Sequence, residues 1–106
     1  MTGTVLLFRD DGDHPLCQIA LGNGDRVQLA LDGNGLAVSR LGPPGPAVET
    51  LFRASAPLVA MICAGLVGPK RQTEASPLRL LAAVVQPIES AEAVRSAFHE
   101  AAAGLS

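Results

Sequence analysis

Turn-forming residues interrupt the first half of this chain at short intervals. They form four clusters, which are DDGDHP at 10–15, GNGD at 22–25, DGNG at 32–35 and LGPPGP at 41–46. Glycine, asparagine and aspartate favour tight turns, and proline cannot donate a hydrogen bond within a sheet. The apolar runs between the clusters are too short for typical helices, so the spacing predicts short strands joined by turns.

Four strands are predicted from the length and alternation of these runs. In the third, Val27, Leu29 and Leu31 point to one face, because side chains along a strand alternate between faces. The first strand is apolar at successive positions, which predicts that it is covered on both faces. The predicted strands run from Thr4 to Arg9, Leu16 to Leu21, Arg26 to Leu31 and Gly35 to Leu41.

Helical spacing of apolar residues follows from Pro46 onward, with an interruption at Pro57 that predicts a kink or a split into two helices. Gly68 followed by Pro69 predicts the end of this helical region. Residues 78–86 are apolar on both faces and lie between prolines. We interpret them as a central strand, with a helix as the alternative because Leu and Ala favour helices.

The last predicted element is an amphipathic helix that Ser90 caps, with Val94 and Phe98 on its buried side and Gly104 near its end. The resulting order, ββββ-α-β-α, predicts a single α+β domain over 1–106. It has two layers, with helices packed on one face of a mainly antiparallel sheet. The pattern also allows an alternative in which part of the sheet curls into a small barrel.

Composition limits the partners that this chain is expected to have. The net charge is −2, and the chain has no Trp or Tyr, so it lacks the basic and aromatic surface that nucleic-acid binding needs. Residues 54–69 form the longest nearly uncharged apolar stretch, which is shorter than the roughly 20 residues of a membrane span. No secretory signal is visible at the start. We therefore expect a soluble cytoplasmic protein, with Cys17 and Cys63 as reduced core thiols.

The acidic loops are the first candidate for a binding site. In a meander the 10–15 and 32–35 loops share one end of the sheet, so their oxygen ligands could meet around calcium or magnesium. The simpler interpretation is that these residues form hairpin turns, and no complete calcium-loop motif is present. No other cofactor is expected. The candidate ligands are Asp11, Asp13, His14, Asp32 and Asn34.

The sequence gives weaker evidence for a catalytic site than for a cation site. His14 and Cys17 have a His-x-x-Cys spacing, and Ser96 and His99 are neighbours on the last helix, but neither pair has a third group to orient it. No phosphate loop, dinucleotide motif or zinc motif is present. The expectation is therefore a protein without catalytic activity, and no catalytic residue is assigned.

The apolar segment 54–68 predicts an association surface, since it is apolar nearly all round. Either the chain's own core covers it or a second subunit does. We expect self-association, or binding to another protein, as a homodimer or as a small subunit of an assembly. The alternative function is small-ligand or divalent-cation binding at the acidic loops. The candidate interface residues are Val59, Met61, Ile62 and Leu66.

Overall fold

The computed structural model describes residues 3–42, 47–67 and 77–104 and shows five strands followed by three helices. The fold class is α+β, as predicted. Within the described ranges, no helix has the length and apolar character that crossing a bilayer requires. The elements are β1 (Thr4–Arg9), β2 (Leu16–Ala20), β3 (Arg26–Asp32), β4 (Gly35–Leu41), β5 (Ala47–Ser55), α1 (Ala56–Val67), α2 (Pro77–Val85) and α3 (Ala91–Ala103).

The sheet is an antiparallel meander in which each strand pairs with the next in sequence. Its order runs from β1 to β5, and these two outer strands are not paired with each other, so the sheet is open. The pairing of β1 with β2 shifts register between Val5 and Leu7, which is a β-bulge. An extra residue of this kind changes which face the following side chains occupy.

All three helices cover one face of the sheet. Val27 and Leu29 of β3 alternate with half-buried residues and lie in register with the buried residues Ile19 and Cys17 of β2. Helix α2 contacts β2 and β3, whereas α1 and α3 contact β5. The opposite face carries Gln18, Gln28 and their neighbours and faces solvent. The predicted two-layer arrangement is thus confirmed.

The expected helix beginning at Pro46 is wrong over residues 47–55, which form β5. Phe52 pairs with Val38 of β4 and is buried, so the segment completes the sheet. Helix α1 begins only at Ala56, where the Ser55 hydroxyl accepts a hydrogen bond from the Leu58 N–H at 3.4 Å. Pro57 lies in the first turn of α1, where its missing N–H breaks no helical bond.

The expected strand over 78–86 is also wrong, because Pro77–Val85 forms α2. Its buried residues, Leu78, Leu81, Ala82 and Val85, recur at three- and four-residue spacing. That spacing places them on one helical face against β2 and β3. The predicted helix end at Gly68-Pro69 lies outside the described residues.

Helix α3 is confirmed as predicted. The Ser90 hydroxyl accepts a hydrogen bond from the Ala93 N–H at 3.1 Å, which caps the helix, and Val94 and Phe98 are buried. Phe98 stacks on Phe52 of β5 with ring centroids 5.3 Å apart. This ring pair fixes α3 against the last strand of the sheet.

The turn between β3 and β4 requires glycine at its last residue, Gly35. Gly35 has φ +139°, and a Cβ atom there would overlap the Ala54 carbonyl oxygen of β5. Gly35→Ala is therefore expected to reduce the free energy of unfolding by about 1–3 kcal/mol, as measured by chemical denaturation. The matched control is Gly33→Ala in the same turn, where an added Cβ meets no atom within 4 Å. Equal effects of the two changes would contradict this account.

Candidate functional site

The predicted cation ligands lie at one end of the sheet, as expected for a meander. The Leu31 N–H donates a hydrogen bond to the Pro15 carbonyl at 3.0 Å, which brings the start of β2 beside the end of β3. The Asp32 carboxylate, however, already accepts bonds from the N–H groups of Asn34 at 2.7 Å and Gly35 at 3.1 Å. Asp32 therefore closes its own turn, as the simpler interpretation has it.

The five candidate ligands are all exposed. In the part of the chain that the structure describes, no three His, Cys, Asp or Glu side chains are grouped for metal binding. Asp32 and Asn34 line a notch of about 310 Å³ that Arg53 also lines, and its positive charge disfavours a cation there. The cation site stays a prediction from sequence, without a ligand cluster among the described residues.

The second glycine-rich turn, at 22–25, holds α3 to the sheet. The Asp25 carboxylate accepts a hydrogen bond from the Ala91 N–H at 2.9 Å, at the start of α3, and the Asn23 N–H donates to the Glu89 carbonyl at 3.0 Å. The Ala91 bond, with a second from Asn23, lowers the pKa of Asp25. Nothing local in the sequence indicates this contact, because its two sides are 66 residues apart.

Asp25→Asn is expected to reduce the free energy of unfolding by about 0.3–1 kcal/mol at neutral pH, because a negative charge at a helix N-terminus is stabilising. The folded-state pKa of Asp25 is lowered, so this contribution is complete above the unfolded-state pKa, about 4. It is lost as the pH falls through the folded-state pKa. The difference between wild type and variant, measured by denaturation, is therefore expected to shrink with acidification. Asp13→Asn is the control, since Asp13 is exposed.

His14 and Cys17, whose spacing alone does not favour a reactive pair, lie in different surroundings. Cys17 is fully buried in the core, whereas His14 is exposed. Burial raises the pKa of the Cys17 thiol to about 11 and raises the pKa of Cys63 as well. Both cysteines are free, as expected, and a protonated, buried thiol is a poor nucleophile.

A thiol-labelling experiment tests this assignment. Both cysteines of the folded protein are expected to react with a disulfide reagent at pH 8 roughly 100-fold more slowly than free cysteine, because burial and a raised pKa suppress the thiolate. Both are expected to react at once in guanidinium chloride. Rapid labelling of either thiol in the folded protein would show an access path that the structure lacks.

The polar side of α3 forms ion pairs with the sheet. Arg95 contacts Glu49 of β5 at 2.9 Å and Glu92 at 3.1 Å, and Glu49 also contacts Arg40 at 3.3 Å. The Arg95 and Arg40 hydrogen bonds lower the pKa of Glu49. His99 packs edge-on against the Phe52 ring, with centroids 5.2 Å apart. These contacts assign the polar side of α3 to packing rather than to a Ser96–His99 reaction centre.

Of the four predicted interface residues on α1, the three whose side chains are described differ in their exposure. Val59 and Ile62 are buried in the chain's own core, so a partner would not reach them. Met61 is 47% exposed. The side chain of Leu66 lies outside the described residues. The chain's own core thus covers much of α1, which was one of the two alternatives.

Among the described residues, the largest run of exposed apolar side chains lies instead on β1. Val5, Leu6 and Leu7 are 38%, 48% and 37% exposed, so the expectation that this strand is covered on both faces is wrong. No described strand pairs with the outer side of β1. We use the name β1 edge for the outer side of β1 together with the side chains of Val5, Leu6 and Leu7. The sequence could not reveal the exposure, because it depends on the position of β1 in the sheet.

A groove of about 310 Å³ runs beside the β1 edge, between β1 and α2. Two hydrogen bonds between Gly3 and Gln86, of 2.6 and 3.2 Å, tie the start of β1 to the end of α2. The guanidinium of Arg79 lies 5.5 Å from the centre of the Phe8 ring. The groove is lined by Val5, Phe8, Arg79, Ala82, Ala83 and Gln86.

The other outer strand, β5, is less suited to pairing than β1, which has a single register shift of its own. Its register with β4 shifts twice, and Glu49 places a charged, ion-paired side chain on it. Bulges and charges are the usual means by which proteins blunt a free strand. Of the exposed residues of β5, Val48 is the one with a large apolar side chain, which is 53% exposed. The β1 edge is therefore the candidate functional site.

No family model, curated protein or solved structure matches this chain.

Proposed function

We propose that this chain is a non-catalytic domain that acts through protein association, as a homodimer or a small subunit of an assembly, and that it associates through the β1 edge. The observation that carries the proposal is the run of three exposed apolar residues on an outer strand with no described partner. A free strand offers unpaired backbone N–H and C=O groups, which bind an added strand.

Two energetic contributions favour association at this position. Burying apolar surface stabilises a complex by about 25 cal/mol per Å², and the consecutive residues Val5, Leu6 and Leu7 are each partly exposed. Backbone pairing along β1 adds hydrogen bonds that also fix the orientation of the partner. The β1–α2 groove lies alongside and has room for a side chain of the added strand.

The proposed partner is a protein in the cytoplasm. The net charge of −2 gives no basic surface for a polyanion such as nucleic acid. Two free, buried cysteines suit a reducing compartment. The association needs no cofactor, because the exposed side chains and backbone groups of β1 supply the contacts.

The test compares two matched edge variants by sedimentation velocity and light scattering over a concentration series up to high micromolar. Wild type is expected to associate. Leu6→Lys is expected to remain monomeric, since a lysine at the centre of the β1 edge must be desolvated on pairing. Val48→Lys is the control, because Val48 is equally exposed but lies on β5. It is expected to associate like wild type.

Circular dichroism and thermal unfolding establish that each variant is folded before its association is measured. A wild-type protein that is monomeric throughout the series would contradict the proposal. So would association that survives Leu6→Lys but is lost in Met61→Glu, because that result would place the interface on α1.

A further inference from the structure

We infer that the partner at the β1 edge is a second copy of this chain, paired antiparallel β1 to β1 about a two-fold axis that passes between Leu6 and Leu7. This inference rests on the proposed function. It assigns the partner, the register and the symmetry of the association, and it follows from the bulge in β1 and from the difference between the two outer strands.

The bulge places Val5 and Phe8 on the same face of the sheet. Val5 pairs with Ile19 and Phe8 with Cys17, and both partners are fully buried beneath the helices. In a regular strand, residues three apart lie on opposite faces. The register shift between Val5 and Leu7 supplies the extra residue that returns Phe8 to the face of Val5.

The remaining paired residues of β1 lie on the opposite, open face. Thr4 pairs with Ala20, Leu7 with Gln18 and Arg9 with Leu16. These β2 residues are half-buried and alternate with the buried Cys17 and Ile19. The face pattern of β1 is therefore symmetric about its centre, with Thr4 and Arg9 on the open face and Val5 and Phe8 on the covered face.

This symmetry selects one register for self-pairing. Directly opposite residues of an antiparallel pair lie on the same face of the sheet. Full overlap of the six residues places Val5 opposite Phe8 of the second copy, which satisfies this requirement. A shift of one residue places Val5 opposite Leu7, on the other face, and breaks it.

The selected register also pairs compatible side chains. Val5 lies opposite an aromatic ring and Leu6 opposite Leu7, which are favourable cross-strand neighbours. Arg9 lies opposite the uncharged Thr4, so the charge within β1 does not oppose a like charge. In this register, the backbone groups and the apolar side chains of β1 thus have partners on β1 of the second copy.

The two outer strands differ in a way that limits the assembly to two copies. Pairing β1 with β5 of another copy would be head-to-tail and would give a ring of several copies or an open series. The charged, ion-paired Glu49 near the middle of β5 opposes it. Pairing β1 with β1 uses the same surface twice and closes, which joins two five-stranded sheets into one of ten strands.

Cross-linking of two single-cysteine variants tests the register. In the inferred pair, Thr4 and Arg9 of different copies are opposite, with Cα atoms about 4.5–5.5 Å apart, which suits a disulfide. An equilibrated mixture of Thr4→Cys and Arg9→Cys chains is expected to form a disulfide-linked dimer on mild oxidation. Each variant alone is expected to form none, since like positions would lie about 17 Å apart.

Wild type under the same oxidation is the control for Cys17 and Cys63, which are buried and are expected not to react. Sedimentation velocity of the uncross-linked wild type is expected to show a discrete dimer. Cross-linking of Thr4→Cys with itself would show parallel pairing or another antiparallel register and overturn the inference, as would an open series of oligomers.

The outcomes also separate this inference from the proposed function. Association that Leu6→Lys abolishes, without a cross-link between positions 4 and 9, overturns the register and the two-fold pairing but leaves association through the β1 edge intact. Wild-type and mixed chains that all remain monomeric overturn both. A discrete dimer with the Thr4–Arg9 cross-link supports both.

Discussion

The fold depends on one continuous row of buried side chains across four neighbouring strands. Cys17 of β2, Leu29 of β3, Val38 of β4 and Phe52 of β5 are successive register partners, and all four are buried. Such a row exists only when every strand keeps its register, since a slip of one residue exposes a strand's whole apolar set. The row gives the helices their packing surface, and every other contact of the helical layer follows from it.

The helical layer is held to this surface by contacts that are distant in sequence. Phe98 stacks on Phe52, Asp25 binds the first turn of α3, and Glu49 pairs with Arg95. The turn at 22–25 thus serves as an anchor for α3 as well as a hairpin. The side chains of Asn23 and Asp25 thus hydrogen-bond within the turn, and Asp25 also accepts a bond from α3.

The sequence predicted those elements whose signals are local. Turn clusters delimited β1 to β4, and the Ser90 cap with its apolar stripe delimited α3. The assignments of β5 and α2 failed because short apolar runs such as 47–55 and 78–86 fit both periods, and only the neighbouring strand or sheet face decides between them. The Asp25 contact and the exposure of Val5, Leu6 and Leu7 depend on the strand order, so no local pattern reveals them. Of the candidate sites, the sequence predicted association through α1, whereas the largest run of exposed apolar side chains among the described residues lies on β1.

The meander separates contacts that are local in sequence from contacts that are distant. Every strand pairing joins neighbours in sequence, so the hairpins close short loops, which costs little entropy and favours rapid formation. The buried row, by contrast, is covered by α1, α2 and α3, which all lie in the second half of the chain. The pairing of the strands thus depends on segments that are neighbours in sequence, whereas the covering of their apolar face depends on contacts between the two halves of the chain.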